Sequence, residues 1–222
     1  FAMFNSLMPP FYLFPAERNV FLREYRNGIY GVAAYASSRL MAEMPKLLIG
    51  PLLFSSIFYW MVGLNNDAER FAFYLGVMVL MAFVGFALGL LVVAAIPDPA
   101  VALQIVPVVF IPMFVFSGFY VNLDEVADWL SWIGYLTYTR YAYRALANNE
   151  FDDAKFVCTE AQLARTVDGS CRFPTGGDYL RFNALDTDDH VVDIAALAAF
   201  AVGFLVLGFL LLWRSAKSKA TV

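Results

Sequence analysis

The run FAFYLGVMVLMAFVGFALGLLVVAAIP, residues 71–97, contains no Asp, Glu, Lys or Arg. A helix rises about 1.5 Å per residue, so about 20 apolar residues cross the hydrocarbon of a bilayer. Working outward, residues 47–64, 99–123 and 194–213 are equally free of charge. Four complete membrane spans are therefore expected. The composition agrees, with 61% hydrophobic and 15% charged residues, where a soluble domain carries roughly 25% charged.

Residues 1–16 are also uncharged and apolar. They read as the back half of a fifth span, the chain being a piece of something longer. A signal peptide would need a basic start and a small-residue cleavage site, and Pro9-Pro10 followed by Phe11-Tyr12 offers neither. Nothing alternates with the period of two that a lipid-facing barrel strand requires, and open sheet edges cannot be satisfied in lipid. The expected class is an all-α helical transmembrane bundle, one membrane domain with one large loop.

Lys and Arg collect on the cytoplasmic side of short loops and tails. The tail RSAKSKATV after Trp213 has three basic residues and no acidic one, and residues 15–46 hold five basic against three acidic. Both are expected inside. Residues 122–190, with twelve acidic and six basic residues, then fall outside. Cys158 and Cys171 lie in that loop, where an oxidising compartment would pair them. The pair would contribute about 3 kcal/mol in the chain-entropy description, and the alternative is two free surface thiols. No Asn-x-Ser/Thr sequon occurs to check the sidedness.

The polar segment FLREYRNGIYG, residues 21–31, sits on the cytoplasmic side. On a helix from Glu17 to Tyr25, residues Val20, Phe21 and Glu24 are neighbours, giving an apolar surface with a charged rim. Here the sequence becomes specific. ERNVFLREYRNGIYGVAAYASSRLMAEMP, running into FYWMVGL at 58–64, resembles the connection between the second and third helices of the G (White) subfamily of ATP-binding cassette transporters. FSGFYVNLDEVADWLSWIGYLTYTRYAYRALANNEF at 116–151 is similar to that family's outer end of the fifth helix and the re-entrant segment after it.

The resemblance implies a type II exporter transmembrane domain truncated at its N-terminus. Its parts would be the end of helix 2 at 1–14, a coupling segment at 15–31, helix 3 at 34–64, helix 4 at 71–97 and helix 5 at 99–122. An extracellular re-entrant segment and disulfide loop at 123–190, helix 6 at 191–213 and a cytoplasmic tail at 214–222 would complete it. The coupling segment touches the nucleotide-binding domain, with Glu17, Phe21, Arg23, Glu24 and Tyr25 as contacts, Phe21 as apolar anchor and Glu24 seeking a basic partner. Facing helices of two subunits would enclose a flat cavity walled by Asn5 and Met8 on one helix and Phe110, Ile111 and Phe114 on the other. Phe119 and Tyr120 would form the upper gate. Asn5 stands where a multidrug relative has an aromatic, and the gate pair is aromatic rather than aliphatic, so substrate preference does not transfer. The further cysteine of some relatives is absent, which implies subunits held without an interchain disulfide.

Pro107 and Pro112 each remove a backbone hydrogen bond from one helix, and Ser117-Gly118 follows, which predicts a bent helix, either a gate or a static kink. Trp129, Trp132, Tyr135, Tyr138 and Tyr141 recur every third residue, an aromatic-rich stretch suited to the headgroup level as a pair of short helices. Gly85-x-x-x-Gly89 is a close-packing signal.

No Gly-x-x-x-x-Gly-Lys-Ser/Thr occurs, so this chain binds no nucleotide of its own, and ATP and Mg are expected at a separate nucleotide-binding domain. One histidine, His190, and two cysteines assigned outside argue against a metal site or a Cys/His nucleophile pair. The expected function is the permease part of an ATP-driven exporter of lipid, sterol-like or amphipathic molecules, working by alternating access as a homo- or heterodimer. Its expected partners are a nucleotide-binding domain N-terminal in the same polypeptide, a second half-transporter, the lipid bilayer and an amphipathic substrate, with no nucleic acid. The expected location is the plasma membrane, multi-pass, with a cytoplasmic C-terminus. The competing reading is an ATP-independent scaffold, scramblase or receptor that keeps a permease-like fold.

Overall fold

The computed structural model describes residues 2–96, 98–121, 126–158, 171, 173–185 and 190–220. They form α1 (Ala2–Arg26), α2 (Val32–Val62), α3 (Ala68–Ala95), α4 (Pro99–Val115), α5 (Asp128–Leu136), α6 (Tyr138–Phe151), α7 (Gly176–Phe182) and α8 (His190–Ala220). No strand is found among the described residues beyond an isolated antiparallel bridge between Lys155 and Thr175. The chain is an all-α membrane protein.

The central helix is α3, packed against α1, α2, α6 and α8. Its residues Ala82, Val84 and Ala87 are completely buried. The contact with α1 depends on two missing side chains. A Cβ on Gly85 would lie 2.5 Å from the Met3 carbonyl oxygen, and one on Gly89 would lie 2.6 Å from that of Leu7. The Gly-x-x-x-Gly pair thus brings the two backbones together where any larger residue would hold them apart.

Local capping sets the helix bounds, and these differ from the charge-free runs. Gly63, at φ 73°, ends α2 by donating to the Tyr59 carbonyl. Asp67 accepts from the Glu69 N–H and starts α3 ahead of the expected residue 71. Asp98 caps α4, with Pro99 in its first turn, where the missing N–H costs nothing.

Three of the described helices, in α2, α3 and α8, are long and apolar enough to cross a membrane, against the four complete spans expected. The difference is α4. Expected over 99–122, it stops at Val115 after 17 residues, a rise of about 26 Å against a hydrocarbon layer of about 30 Å. Pro112 lies inside its last turn, and the chain turns away through Ser117 and Gly118, the latter at φ 88°. The freed Met113 carbonyl accepts from Thr139 Oγ1 at 2.7 Å, and the Phe114 carbonyl accepts from Ser117 Oγ at 2.7 Å.

Two further bounds change. α1 runs without a break to Arg26, so the helix expected from Glu17 is the end of the first helix. α8 continues to Ala220, carrying the basic residues of the expected tail on helical backbone. The aromatic stretch is two short helices, α5 and α6, as its spacing predicts.

Candidate functional site

Two regions gather the residues singled out from the sequence, one at the α1–α2 turn and one around the end of α4. At the turn, Phe21 is 3% exposed. Its ring stacks on Tyr35 at 4.3 Å and lies 6.0 and 6.3 Å from Tyr25 and Tyr30. It therefore anchors the end of α1 to the start of α2, and this corrects the expectation that it faces a partner. The reason is tertiary, since three tyrosines converge on it. Glu24 accepts from the Tyr30 hydroxyl at 2.5 Å and has no basic partner among the described residues. That hydrogen bond, with burial second, raises the Tyr30 phenol above its ordinary value of 10.0. The contact is complete at neutral pH and is lost as pH rises through the raised value.

Glu17 joins a larger network. Its carboxylate accepts from Arg39 at 3.1 Å and from the Tyr35 hydroxyl at 3.3 Å. Arg39 in turn approaches Glu43 at 3.4 Å, and Lys46 approaches the same carboxylate at 3.2 Å. Glu43 is 3% exposed, so its charge depends on these two cations. Arg23 is exposed and Tyr25 half-buried. Around them Val20 and Ile29 are exposed, Ile29 at 65%, and they supply the apolar surface that Phe21 does not.

At the end of α4, Phe110, Phe114 and Phe119 line a cavity of about 550 Å³ together with residues of α1, α3 and α6. Phe4 of α1 meets Phe110 edge-on, ring centroids 5.9 Å apart. The two expected walls thus meet, but through Phe4. Asn5 lines a separate groove of about 430 Å³ between α1 and α2, beside Glu43 and Lys46. Met8 packs against the main hydrophobic core, and Ile111 is 62% exposed and lines neither space. The assignment of one wall to Asn5 and Met8 comes position by position from the resemblance; in this chain it is Met3 and Phe4 of α1 that line the cavity at the end of α4.

Phe119 and Tyr120 are adjacent to the cavity mouth and both well exposed. Their rings meet edge-on at 4.9 Å, and Phe119 also meets Tyr143 of α6 at 5.6 Å. Cys158 and Cys171 form a disulfide, with Cα atoms 5.8 Å apart.

Sequence reasoning missed the residues that fix the outer helices. Arg144 of α6 donates through Nε to both oxygens of Asp193 in α8, at 2.9 and 3.0 Å. Arg70 donates to the Asn149 carbonyl at 2.9 Å, while Asn149 Nδ2 returns a hydrogen bond to the Arg70 carbonyl at 3.1 Å. An Asp in the first turn of a charge-poor helix was the available signal for the first pair, since a carboxylate there needs a partner. Among the described residues no His, Cys, Asp and Glu cluster is arranged to hold a metal ion.

A family model described as "ABC-2 type transporter" matches residues 1–151. Protein white of Drosophila melanogaster is 32% identical over 219 residues, covering 97% of this chain and 31% of that protein. ABC transporter G family member 1 of Dictyostelium discoideum is 28% identical over 220 residues, covering 97% of this chain and 27% of that protein. The broad substrate specificity ATP-binding cassette transporter ABCG2 of Rattus norvegicus is 30% identical over 207 residues, covering 89% and 31%. The chain thus spans less than a third of the length of these relatives. Their common G-family membership bears out the resemblance read from the two motifs.

Proposed function

This chain belongs to the ABC-2 type transporter family, and from that premise we propose that it is the membrane permease of an ATP-driven exporter of lipid, sterol-like or amphipathic molecules. It works as one half of a dimer, by alternating access, in the plasma membrane with its C-terminus in the cytoplasm. The observation that carries the reading is the cavity of about 550 Å³ built at the broken end of α4 and flanked by the exposed Phe119–Tyr120 pair. A helix that ends within the bundle leaves room for a ligand beside it and a turn that repacks.

The chain's own residues connect this cavity to the cytoplasmic face. A nucleotide-binding domain of the same polypeptide presses on the α1–α2 turn at Val20, Arg23 and Ile29, all exposed. Phe21 stacked on Tyr35, with Glu17 bridged to Arg39, binds the turn to both helices. α1 is continuous for 25 residues, so movement of its cytoplasmic end reaches Phe4 and the Phe110 contact. Gly85 and Gly89 keep α1 on α3 during that movement. This chain has no phosphate-cradling loop; ATP and Mg belong to the other domain, and no step here runs through them.

The test is ATP-dependent accumulation of a fluorescent sterol, and separately of a fluorescent phospholipid, in inside-out vesicles holding the full-length protein. ATP should drive uptake of at least one, and Glu24→Arg should leave ATP hydrolysis running while uptake falls. Equal uptake with and without ATP would remove the exporter reading in favour of an ATP-independent one.

A further inference from the structure

Where α8 nears its end it stands off from the start of α2, because the α2 residues facing it, Ala33, Ala36 and Ser37, are small. A groove of about 340 Å³ is left between the two helices, floored by Phe86 and Leu90 of α3 and walled on the α8 side by Val206, Phe209 and Leu212. We infer that this groove holds an acyl chain of an anionic phospholipid whose phosphate rests on the basic last turns of α8. In naming the leaflet, the inference rests on the reading that puts the C-terminus in the cytoplasm, the side on which anionic lipids collect.

The surroundings of the groove say what covers it. α2 and α8 are both long and apolar enough to cross a membrane, and Val202, Val206 and Leu210 of α8 are exposed. The groove therefore opens onto hydrocarbon, and a lipid chain fills it where water would not. Helical spacing then leads the same face to charge. Trp213 lies two turns and Lys217 three turns beyond Val206, with the Lys217 Nζ 5.3 Å from the centre of the Trp213 ring. A tryptophan beside a lysine at the end of a span marks the headgroup level. Arg214 is exposed in the same turn, and no Asp or Glu follows Asp193 in α8. The carboxylates of α1 and α2 at this end are engaged, Glu17 with Arg39, Glu24 with Tyr30, and Glu43 with Arg39 and Lys46. The charge offered to a headgroup is thus positive, which favours a phosphate carrying net negative charge over a zwitterion.

The experiment is native mass spectrometry of the delipidated full-length protein in detergent, with added phosphatidylserine or phosphatidylcholine bearing the same palmitoyl and oleoyl chains. One phosphatidylserine per chain should be retained, at least about fivefold more tightly than phosphatidylcholine. Arg214→Gln/Lys217→Gln should erase that preference, Ala33→Trp should weaken both lipids by filling the groove, and excess cholesterol should displace neither. Should Ala33→Trp fail to fold, the thiol of a Ser37→Cys variant should react with a small maleimide at a rate that phosphatidylserine slows. Equal retention of the two lipids, a preference that survives Arg214→Gln/Lys217→Gln, displacement by cholesterol, or a maleimide rate in the Ser37→Cys variant that lipid leaves unchanged would each overturn the inference. Sidedness is read separately, by labelling an Ala220→Cys variant in intact cells with a membrane-impermeant maleimide, so failure of the lipid site is distinct from failure of the cytoplasmic reading.

Discussion

Replacing Asp193 by Asn isolates the strongest electrostatic commitment in the structure. Asp193 is completely buried, and Arg144 grips both its oxygens from α6. Two unit charges about 3 Å apart attract by about 5 kcal/mol at an effective dielectric near 20, while taking each from water costs several kcal/mol. The terms nearly cancel for the intact pair. For a lone Arg144, only the cost remains. Asp193→Asn is therefore expected to destabilise the protein by about 3–5 kcal/mol, which lowers Tm by about 6–20 °C in a domain of this size. The double variant Arg144→Met/Asp193→Leu removes both charges and should recover most of the loss. Thermal unfolding of the detergent-purified full-length protein, followed by fluorescence-detected size exclusion, gives the comparison. A single variant within about 1 °C of the parent, or a double variant as unstable as the single, would refute the reasoning, since either outcome means the charge is not buried and paired as the structure has it.

Gly85→Ala should destabilise by about 1–3 kcal/mol through overpacking against Met3, although Ala is ordinarily the better helix former; Gly76→Ala in the same helix, where a Cβ meets nothing within 4 Å, should be neutral or stabilising in the same melt. Tyr138 is fully buried beside Phe200 and Phe204, and its hydroxyl has no partner among the described residues. Tyr138→Phe should raise stability by up to about 1 kcal/mol, and a drop in Tm would show that the hydroxyl has a use. Non-reducing peptide mapping should recover Cys158 joined to Cys171, and Cys171→Ala should lower stability by about 3 kcal/mol, the loop-closure contribution for a loop of about 15 residues.

Much of the fold was legible because bilayer physics leaves few choices. An uncharged run such as 71–97 can only be a buried or lipid-facing helix, and α3 is that helix. The Gly85–Gly89 spacing foretold close helix packing, and the spacing of Trp129, Trp132 and Tyr135 a short helix, with all three rings exposed on α5. Cys158 and Cys171 were the sole cysteines, and their bridge followed. Charge absence does not encode where a helix stops, however. The run 99–123 holds no charge, yet α4 ends at Val115, where the Ser117 N–H turns to the Phe114 carbonyl at 3.3 Å and Gly118 takes φ 88°, a local backbone event that hydropathy does not register.

The sequence by itself determined the class, the family and the residue types available to the site: apolar spans, an aromatic pair after a proline-broken helix, and a charged cytoplasmic segment. Only the tertiary structure decided which of those residues meet. It turned Phe21 inward, where Tyr25, Tyr30 and Tyr35 surround it, and sent Asn5 to a groove against α2 while Phe4 faces Phe110. It also joined Arg144 to Asp193 across 49 residues. The physical reason is common to all three. A side chain's chemistry is written in its own letter, but its partner is set by the rotation and closeness of helices, and those depend on packing summed over contacts far apart in the chain.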